Sequence, residues 1–338
     1  MNDYGIFLDL AIIMVFSKFF GLLARKLKAP QVVGEIIAGL LIGPSILGIV
    51  QQTDFLSQMA EIGVILLMFS AGLETNLRDL MKTGVKAFFI ALSGVFVPLV
   101  GGTILYMAFY HVTPFMREDF YSAVFIGVIM TATSVSITVQ ALKELGKLKG
   151  EVGTTILSAA IIDDVIGIVV LTFVIGLKDP DSNPVKIVGS TVLFFVFALV
   201  VGFVLYKIFK NVDLRHPHTR RIPILGLAIC FVFAYLAEVV FGIADITGAY
   251  VAGIILCSLQ DSDYIASKMD VNSYMLFGPV FFASIGLKTS IDNINKEIII
   301  FSLLFVFVAI ICKIIGCGIM AKLCRFTTHD SLKIGVGM

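Results

Sequence analysis

The stretch LSAAIIDDVIGIVVLTF, residues 157–173, carries two adjacent acids, Asp163 and Asp164, in the middle of an apolar run. A bilayer core of ~30 Å needs about 20 apolar residues at ~1.5 Å rise per residue. The stretch therefore predicts a membrane-spanning helix. Its two carboxylates are the feature that a function has to explain, because an ionisable residue inside a span costs roughly 2.5–3.5 kcal/mol on insertion scales.

The composition of the whole chain agrees with a membrane location. Of its 338 residues, 58% are hydrophobic and 14% are charged, and the mean hydropathy is +1.01. Soluble domains average roughly 45–50% apolar and about 25% charged residues, so a soluble enzyme, a disordered chain and a disulfide scaffold are excluded. The net charge of +1 gives no electrostatic footprint for nucleic acid. We predict an all-α polytopic protein of the lipid bilayer that binds no nucleic acid.

Hydropathy divides the chain into eleven predicted spans and the start of a twelfth near Ser331. The turn at Gly242–Asp245 separates two of them. No loop is long enough for a soluble domain, which favours transport over catalysis and predicts that the protein is not an enzyme. The predicted spans are 4–24, 30–50, 56–73, 85–110, 119–142, 152–177, 186–208, 222–243, 244–260, 273–290 and 298–321.

Basic residues are distributed unevenly between the two sets of loops. Eighteen Lys and Arg residues follow the odd-numbered spans and five follow the even-numbered ones. Loops on the cytoplasmic side of a membrane carry the excess of Lys and Arg. We therefore expect a multi-pass protein of the cell membrane with its N-terminus outside.

Asp163 and Asp164 cannot both face the same direction, because adjacent residues of a helix point about 100° apart. One carboxylate can face an aqueous funnel while the other turns toward a neighbouring helix. Desolvation at half-depth favours a protonated acid unless a cation lies beside it, and oxygen ligands suit hard cations. A group that holds either a proton or a metal ion can exchange the two, although a purely structural buried pair is the alternative.

Lys313 lies near the middle of the eleventh predicted span, in FVAIICKIIGCGIMAKL. The natural partner for a lysine at this depth is a carboxylate at the same depth, and the two adjacent acids offer one. A salt bridge to one Asp would keep that Asp ionised. The alternative is a lysine whose amine reaches the membrane interface.

Span 5 contains a polar stretch, Thr131 to Thr138, in an otherwise apolar helix. Small hydroxyl side chains bond to the local backbone and weaken the interior of a helix. Unwound backbone at membrane depth is tolerated where it lines a cavity, and its carbonyls and hydroxyls can then coordinate ions. Ordinary Ser/Thr contacts between helices are the alternative. Asp9, Glu35 and Glu238 are weaker candidates, and we expect Glu35 to line a funnel or an interface.

Taken together, these stretches resemble the monovalent cation:proton antiporter family 2, close to the bacterial sodium/proton antiporters. The similarity extends over nearly the whole chain and follows the order of motifs in the family. The matching stretches are PQVVGEIIAGLLIGPSILG (30–48), EIGVILLMFSAGLE (61–74), TATSVSITVQALKELGKL (131–148), Asp163-Asp164, GAYVAGIIL (248–256), PVFFASIGL (279–287) and CKIIGCG (312–318).

The resemblance implies a fold of two inverted-topology repeats with a broken, crossing helix. A panel or dimerisation domain would pack against a mobile core domain, and transport would follow an elevator-like movement of the core. A homodimer is also implied. The expected division is panel helices 1–3 in 1–75, core helices 4–6 in 85–177, linker helix 7 in 186–210, panel helices 8–10 in 222–291, and core helix 11 with the start of helix 12 in 298–338.

The resemblance also implies roles for individual residues. Asp164 matches the carboxylate that binds the cation or the proton, and Asp163 matches the partner of Lys313. Thr133 and Ser134 belong to the expected ion site. An Asp-Asp pair is similar to the electrogenic branch, which exchanges two protons for each sodium, whereas the glutathione-gated potassium efflux branch usually has Gln-Asp. The remaining expected site residues supply the backbone of the broken helix: Thr131, Ala132, Val135 and Ser136.

Several functions remain open from the sequence alone. The first is exchange of a monovalent cation, Na⁺ before K⁺ or Li⁺, for protons, without a cofactor. A potassium/proton antiporter is the nearest alternative, and a sodium-coupled symporter of an organic anion is disfavoured because no Arg or Asn cluster lies inside a span. The family continues beyond the segment that ends at Met338, so a truncated fragment that does not transport is a further alternative.

Overall fold

A computed structural model describes residues 5–113, 117–176, 184–215, 221–289 and 295–338. In these ranges the chain is all-helical. The helices are α1 Gly5–Lys26, α2 Gln31–Ile42, α3 Asp54–Leu73, α4 Leu77–Phe109, α5 Arg117–Thr131, α6 Val135–Glu144, α7 Glu151–Gly176, α8 Pro184–Arg215, α9 Arg221–Tyr235, α10 Asp245–Leu256, α11 Ser262–Asn272, α12 Gly278–Leu287, α13 Lys296–Leu323 and α14 Thr328–Gly337.

Eight helical stretches in the described residues are long and apolar enough to cross a membrane, counting α5 and α6 as one stretch. The shorter apolar helices α2 and α10 add to them. This architecture confirms the prediction of an all-helical membrane protein. The division expected near Gly242 is also present, because a turn of π-helix ends at Val240 and α10 begins at Asp245.

The predicted helix over residues 30–50 is too long. α2 ends at Ile42, where Gly43 caps it by donating its N–H to the carbonyl of Gly39. Pro44 follows, and proline has no N–H with which to continue a helix. The chain then turns, with Gly48 at a φ of 62°. The apolar residues beyond Pro44 produce a hydropathy signal without forming a helix.

The predicted span over residues 273–290 begins too late. Its helix already starts at Ser262 as α11 and passes through a π-helical turn, Ser273–Phe277, into α12. The α11 sequence SDYIASKMDVN is polar, so hydropathy alone does not detect it. Helix α14 begins at Thr328, close to the expected start near Ser331.

Helix packing defines two sets of neighbours. In the first set α2 packs on α1 and α12, and α3 packs on α10 and α12, with α9 beside α10. In the second set α4 contacts α5, α7 and α13, and α13 contacts α14. Helix α8 lies against α7 and α10, and the short α6 contacts α2, α3 and α7. Helix α6 therefore touches members of both sets.

Two helix pairs of the first set are built from matching glycine contacts. A Cβ on Gly39 of α2 would collide with the backbone of Ala283 in α12. A Cβ on Gly253 of α10 would collide with the backbone of Phe69 in α3. Gly253 follows Gly39, and Ala283 follows Phe69, by the same interval of 214 residues. Small residues at these points let the two backbones approach closely.

The partner helices repeat the pattern from the other side. A Cβ on Gly286 of α12 would collide with the carbonyl of Ile36, and a Cβ on Gly72 of α3 would collide with the carbonyl of Tyr250. These positions are again 214 residues apart, Ile36 with Tyr250 and Gly72 with Gly286. The pair α2–α12 and the pair α3–α10 therefore share one contact geometry.

Candidate functional site

The polar stretch of span 5 interrupts a helix. Helix α5 ends at Thr131, residues 132–134 are not helical, and α6 begins at Val135. The Thr131 hydroxyl donates to the carbonyl of Val128 at 2.8 Å. The Ser134 hydroxyl caps α6 by accepting from the N–H of Ile137. Side chains that bond to nearby backbone thus end one helix and start the next.

The interruption leaves helix ends inside the protein. The carbonyl end of α5 carries a partial negative charge and the amide end of α6 a partial positive charge. Of the expected backbone residues, Thr131 closes α5, Ala132 lies in the break, and Val135 and Ser136 open α6, where both are buried. Backbone carbonyls that a break frees from helical hydrogen bonds can coordinate a dehydrated ion.

Asp163 and Lys313 form a buried ion pair between α7 and α13. The Lys313 Nζ lies 3.1 Å from Asp163 Oδ1 and 3.0 Å from Oδ2. The side chain of Asp163 is 1% exposed and that of Lys313 is 10% exposed. The predicted pairing of Lys313 with Asp163 is therefore confirmed, and Lys313 does not reach the interface.

Asp164 has a different environment from its neighbour. Its side chain is half-buried, whereas Asp163 is buried. In the described part of the chain Asp164 makes no hydrogen bond and no ion pair, and the charges that act on it are those of Asp163 and Lys313. The two adjacent acids therefore point in different directions, as the rotation along a helix requires. One carboxylate is neutralised by a lysine and the other is not.

The break of the helix lies beside these acids. The Thr133 hydroxyl donates to the carbonyl of Thr131 at 3.4 Å and lies close enough to Asp163 to stabilise its charge. On α7, a Cβ at Gly167 would lie 3.9 Å from the Thr131 hydroxyl. The structure thus brings Asp163, Asp164, Lys313 and Thr133 together, while Ser134 is exposed and engaged as the cap of α6.

Helix α4 provides space for the ion pair at Gly94. A Cβ on Gly94 would lie 3.2 Å from Asp163 Oδ1, 3.6 Å from Lys313 Nζ and 2.9 Å from the Sγ of Cys317. Sequence reasoning missed this glycine, because nothing in the α4 sequence marks it as a neighbour of the acids. Its role becomes visible once α4, α7 and α13 are packed together.

A second polar cluster lies at the other end of α6. Lys143 Nζ is 3.0 Å from Glu74 Oε1 and 2.5 Å from Asp270 Oδ1. From the sequence, Lys143 is one of the eighteen basic residues that follow the odd-numbered spans, and nothing there marks Glu74 or Asp270 as its partners. The cluster borders a cavity of about 280 Å³ that Glu35 also lines, which agrees with the expectation that Glu35 faces a funnel or an interface.

Among the described residues, no group of three or more His, Cys, Asp or Glu side chains is arranged to hold a metal ion. The molecule instead combines apolar membrane helices, an interrupted helix and a buried acid–lysine pair. These features together define an integral membrane transporter.

Comparison with known proteins identifies the family. Residues 11–338 match the family described as sodium/hydrogen exchanger, transmembrane, and the chain belongs to it. It is 36% identical over 337 residues to the Na(+)/H(+)-K(+) antiporter GerN of Bacillus cereus, covering 99% of this chain and 85% of GerN. It is 35% identical to the probable Na(+)/H(+) antiporter GerT of the same organism, covering 98% of this chain and 86% of GerT. The family resemblance seen in the sequence is confirmed, and the family is one of transporters and not of enzymes.

A solved structure supports the fold. The sodium proton antiporter MjNhaP1 of Methanocaldococcus jannaschii superimposes with a TM-score of 0.76 at 19% sequence identity. The match covers 99% of this chain and 81% of that one. At this level of identity the similarity establishes the antiporter fold for this chain.

Proposed function

We propose that the protein exchanges a monovalent cation for protons across the membrane and that Asp164 is the carboxylate that holds either ion. The observation that carries this proposal is the unequal environment of two adjacent acids. Lys313 neutralises Asp163, whereas Asp164 is half-buried beside a broken helix and has no such partner. A partly desolvated carboxylate without a fixed countercharge favours uptake of a proton or a cation.

The surrounding groups support the same chemistry. A dehydrated alkali cation needs oxygen ligands, and the break at 132–134 supplies backbone carbonyls and the Thr133 hydroxyl near the acids. Lys313 can move from Asp163 toward Asp164 when the charge at Asp164 changes, because the three ionisable groups interact electrostatically. Thr133 therefore joins Asp164 in the proposed site, with Ser134 at its margin.

Sodium is the proposed physiological cation and potassium is the alternative. GerT is described as a sodium/proton antiporter, and the description of GerN includes potassium. Selectivity between the two ions depends on the size and field strength of the oxygen ligands. The proposal therefore commits to a monovalent cation and puts Na⁺ first.

The glycine contacts support a fold of two inverted repeats. The repeated interval of 214 residues relates α2 to α10 and α3 to α12. The packing of helices into two sets supports a panel of α1–α3 with α9–α12 and a core of α4–α7 with α13 and α14. We propose that α8 links the halves and that the core moves against the panel in an elevator-like cycle. A homodimer and an external N-terminus complete the proposal.

Reconstituted protein tests the function directly. Proteoliposomes that hold a pH gradient should lose it on addition of Na⁺, or K⁺ in the alternative, and not on addition of choline. Asp164→Asn should abolish the exchange because the amide cannot release a proton. The control Glu151→Gln changes an exposed carboxylate on the same helix and should retain it. Protein that responds to no alkali cation would contradict the proposal and support a chain that does not transport.

A further inference from the structure

The C-terminal turn of α6 is attached to three other helices by two consecutive residues of opposite charge, Lys143 and Glu144. Lys143 contacts Glu74, which follows the last residue of α3, and Asp270 in α11. Its amine also donates to the Ser70 hydroxyl at 3.3 Å, and that hydroxyl donates to Asp270. Lys143 therefore bridges α6 to α3 and α11 through a closed network.

Glu144 makes the second attachment. Its Oε2 accepts the backbone N–H of Gln31 at 2.5 Å, and its Oε1 accepts from Gln140 at 3.0 Å. Gln31 is the first residue of α2, and Pro30 provides no side-chain cap there. The first N–H groups of a helix lack partners within the helix, and a carboxylate at this end also interacts favourably with the helix dipole. Glu144 thus supplies from α6 the cap that α2 lacks.

We propose that Lys143 and Glu144 form a two-point latch that holds α6 against α2, α3 and α11 and must open when the transporter changes state. This proposal rests on the proposed exchange function and deepens it. Helix α6 is the second half of the broken helix, so a movement of α6 also moves the break beside Asp163 and Asp164. The latch therefore positions the ion site relative to the first set of helices.

The physical character of the contacts suits a reversible attachment. The side chains of Lys143, Glu74 and Asp270 are 26%, 16% and 37% exposed, so water can replace each partner when they separate. The adjacent cavity of about 280 Å³ gives these groups room to rehydrate. A fully desolvated pair would instead leave uncompensated charge in the protein interior on opening.

A reversible crosslink tests the latch. Glu74→Cys with Lys143→Cys, in a background without the native cysteines, is bridged by a bifunctional methanethiosulfonate and assayed for cation-dependent dissipation of a pH gradient. Bridging should lower the exchange rate at least tenfold, and reduction should restore it. Equal rates with and without the bridge would overturn the proposal, because α6 would then not separate from α3 during the cycle.

The chain offers a matched control. Lys86 and Glu151 form another Lys–Glu pair, at 3.1 Å, between α4 and α7 of the second set of helices. Bridging Lys86→Cys with Glu151→Cys should change the rate less than twofold. Arrest in both crosslinked proteins would show a general effect of the reagent and overturn the assignment of the latch. If the unbridged Glu74→Cys/Lys143→Cys protein shows no exchange while the Lys86→Cys/Glu151→Cys protein does, the single substitution Lys143→Gln tests the latch instead. If neither exchanges and the parent also fails, the proposed function itself is wrong.

Charge removal provides the second measurement. Lys143→Gln weakens one point of the latch and should shift the apparent cation KM and the maximal rate, each by at least threefold, because the balance between two states changes. Lys147→Gln removes an exposed charge four residues further along the chain, beyond the end of α6, and should shift neither. Wild-type kinetics in Lys143→Gln would overturn the latch, as would equal shifts in both variants.

Discussion

Lys313 and Lys143 are both paired with carboxylates, but they lie in opposite surroundings. Lys313 pairs with one carboxylate, Asp163, in the interior between α7 and α13, where the Asp163 side chain is 1% exposed. Lys143 pairs with two carboxylates, Glu74 and Asp270, at the C-terminal end of α6, where the Asp270 side chain is 37% exposed. Both clusters join a lysine amine to carboxylates, and they differ in how accessible these groups are to water.

The difference in access to water suits the two clusters to different roles in the proposed transport cycle. Deep in the protein, breaking an ion pair requires a replacement charge, so under the proposed function the Asp163–Lys313 pair responds to whether Asp164 holds a proton or a cation. At the solvent-accessible C-terminal end of α6, water can replace a lost partner at a small cost in free energy. The Lys143 contacts can therefore open and close as helices move. In the proposed mechanism, ion exchange takes place at the N-terminal end of α6 and the movement of α6 is controlled at its C-terminal end.

The largest expected effect comes from Lys313→Ala. The change leaves Asp163 buried without its countercharge, which costs about 3–5 kcal/mol unless the acid takes up a proton. We expect a large loss of thermal stability and an altered voltage dependence of exchange, with a smaller change in cation binding. Currents from reconstituted protein at several membrane potentials measure this, and an unchanged voltage dependence would refute the exchange of partners.

Gly94→Ala probes the space around the same pair. The new methyl group would lie 2.9 Å from Cys317 Sγ and 3.2 Å from Asp163 Oδ1, so these side chains or the helices that carry them must shift. Overpacking of this kind costs about 1–3 kcal/mol, which thermal unfolding in detergent should detect. Gly84→Ala on the same helix meets no atom within 4 Å and should be neutral or stabilising. Equal stability of the two variants would mean that α4 does not confine the ion pair.

Lys143→Gln should have a smaller effect on stability than on transport. Partly exposed ion pairs contribute about 0–1 kcal/mol, and salt screens them. The loss of thermal stability should therefore be below about 1 kcal/mol and should shrink as ionic strength rises, whereas the loss in Lys313→Ala should not. A salt-independent cost at Lys143 would erase the contrast between the two clusters.

The smallest effect is expected at the surface pair Asp330–Lys333 in α14, whose side chains are 29% and 51% exposed and whose charged atoms are 3.1 Å apart. Hydrogen bonds from Thr327 and then Lys333 lower the pKa of Asp330 below its usual range. A carboxylate whose pKa is lowered in the folded state stabilises the protein at pH values above its ordinary pKa of about 3.9. This contribution is lost as the pH falls through the folded-state pKa. Asp330→Asn should therefore be slightly less stable than the parent at neutral pH and equal to it in strong acid. A difference that grows in acid would reverse this sign.

The depth of the ion pair explains why it was predictable from sequence. A lysine and two acids in apolar spans have few possible partners, so the residues alone paired Lys313 with one of the two acids, and the family resemblance implied that this acid is Asp163. The interruption near Thr131 was predictable because consecutive hydroxyl residues compete with helical hydrogen bonds.

Other features depend on tertiary packing and were not predictable. Lys143 is one of many basic residues near span ends, and each has many possible partners in water. The end of α2 at Ile42 was signalled by Pro44 but was hidden by the apolar residues that follow. The polar helix α11 had no hydropathy signal, and the role of Gly94 depends on three helices meeting.

Calorimetric titration of the purified protein with Na⁺, in buffers of different ionisation enthalpy, tests most directly whether Asp164 holds the cation and the proton in turn. We predict that Na⁺ binding releases protons and weakens as pH falls. Asp164→Asn should bind no Na⁺, while Glu151→Gln should bind it as the parent does. Na⁺ binding of parental affinity in Asp164→Asn, or binding by the parent without proton release, would contradict the account.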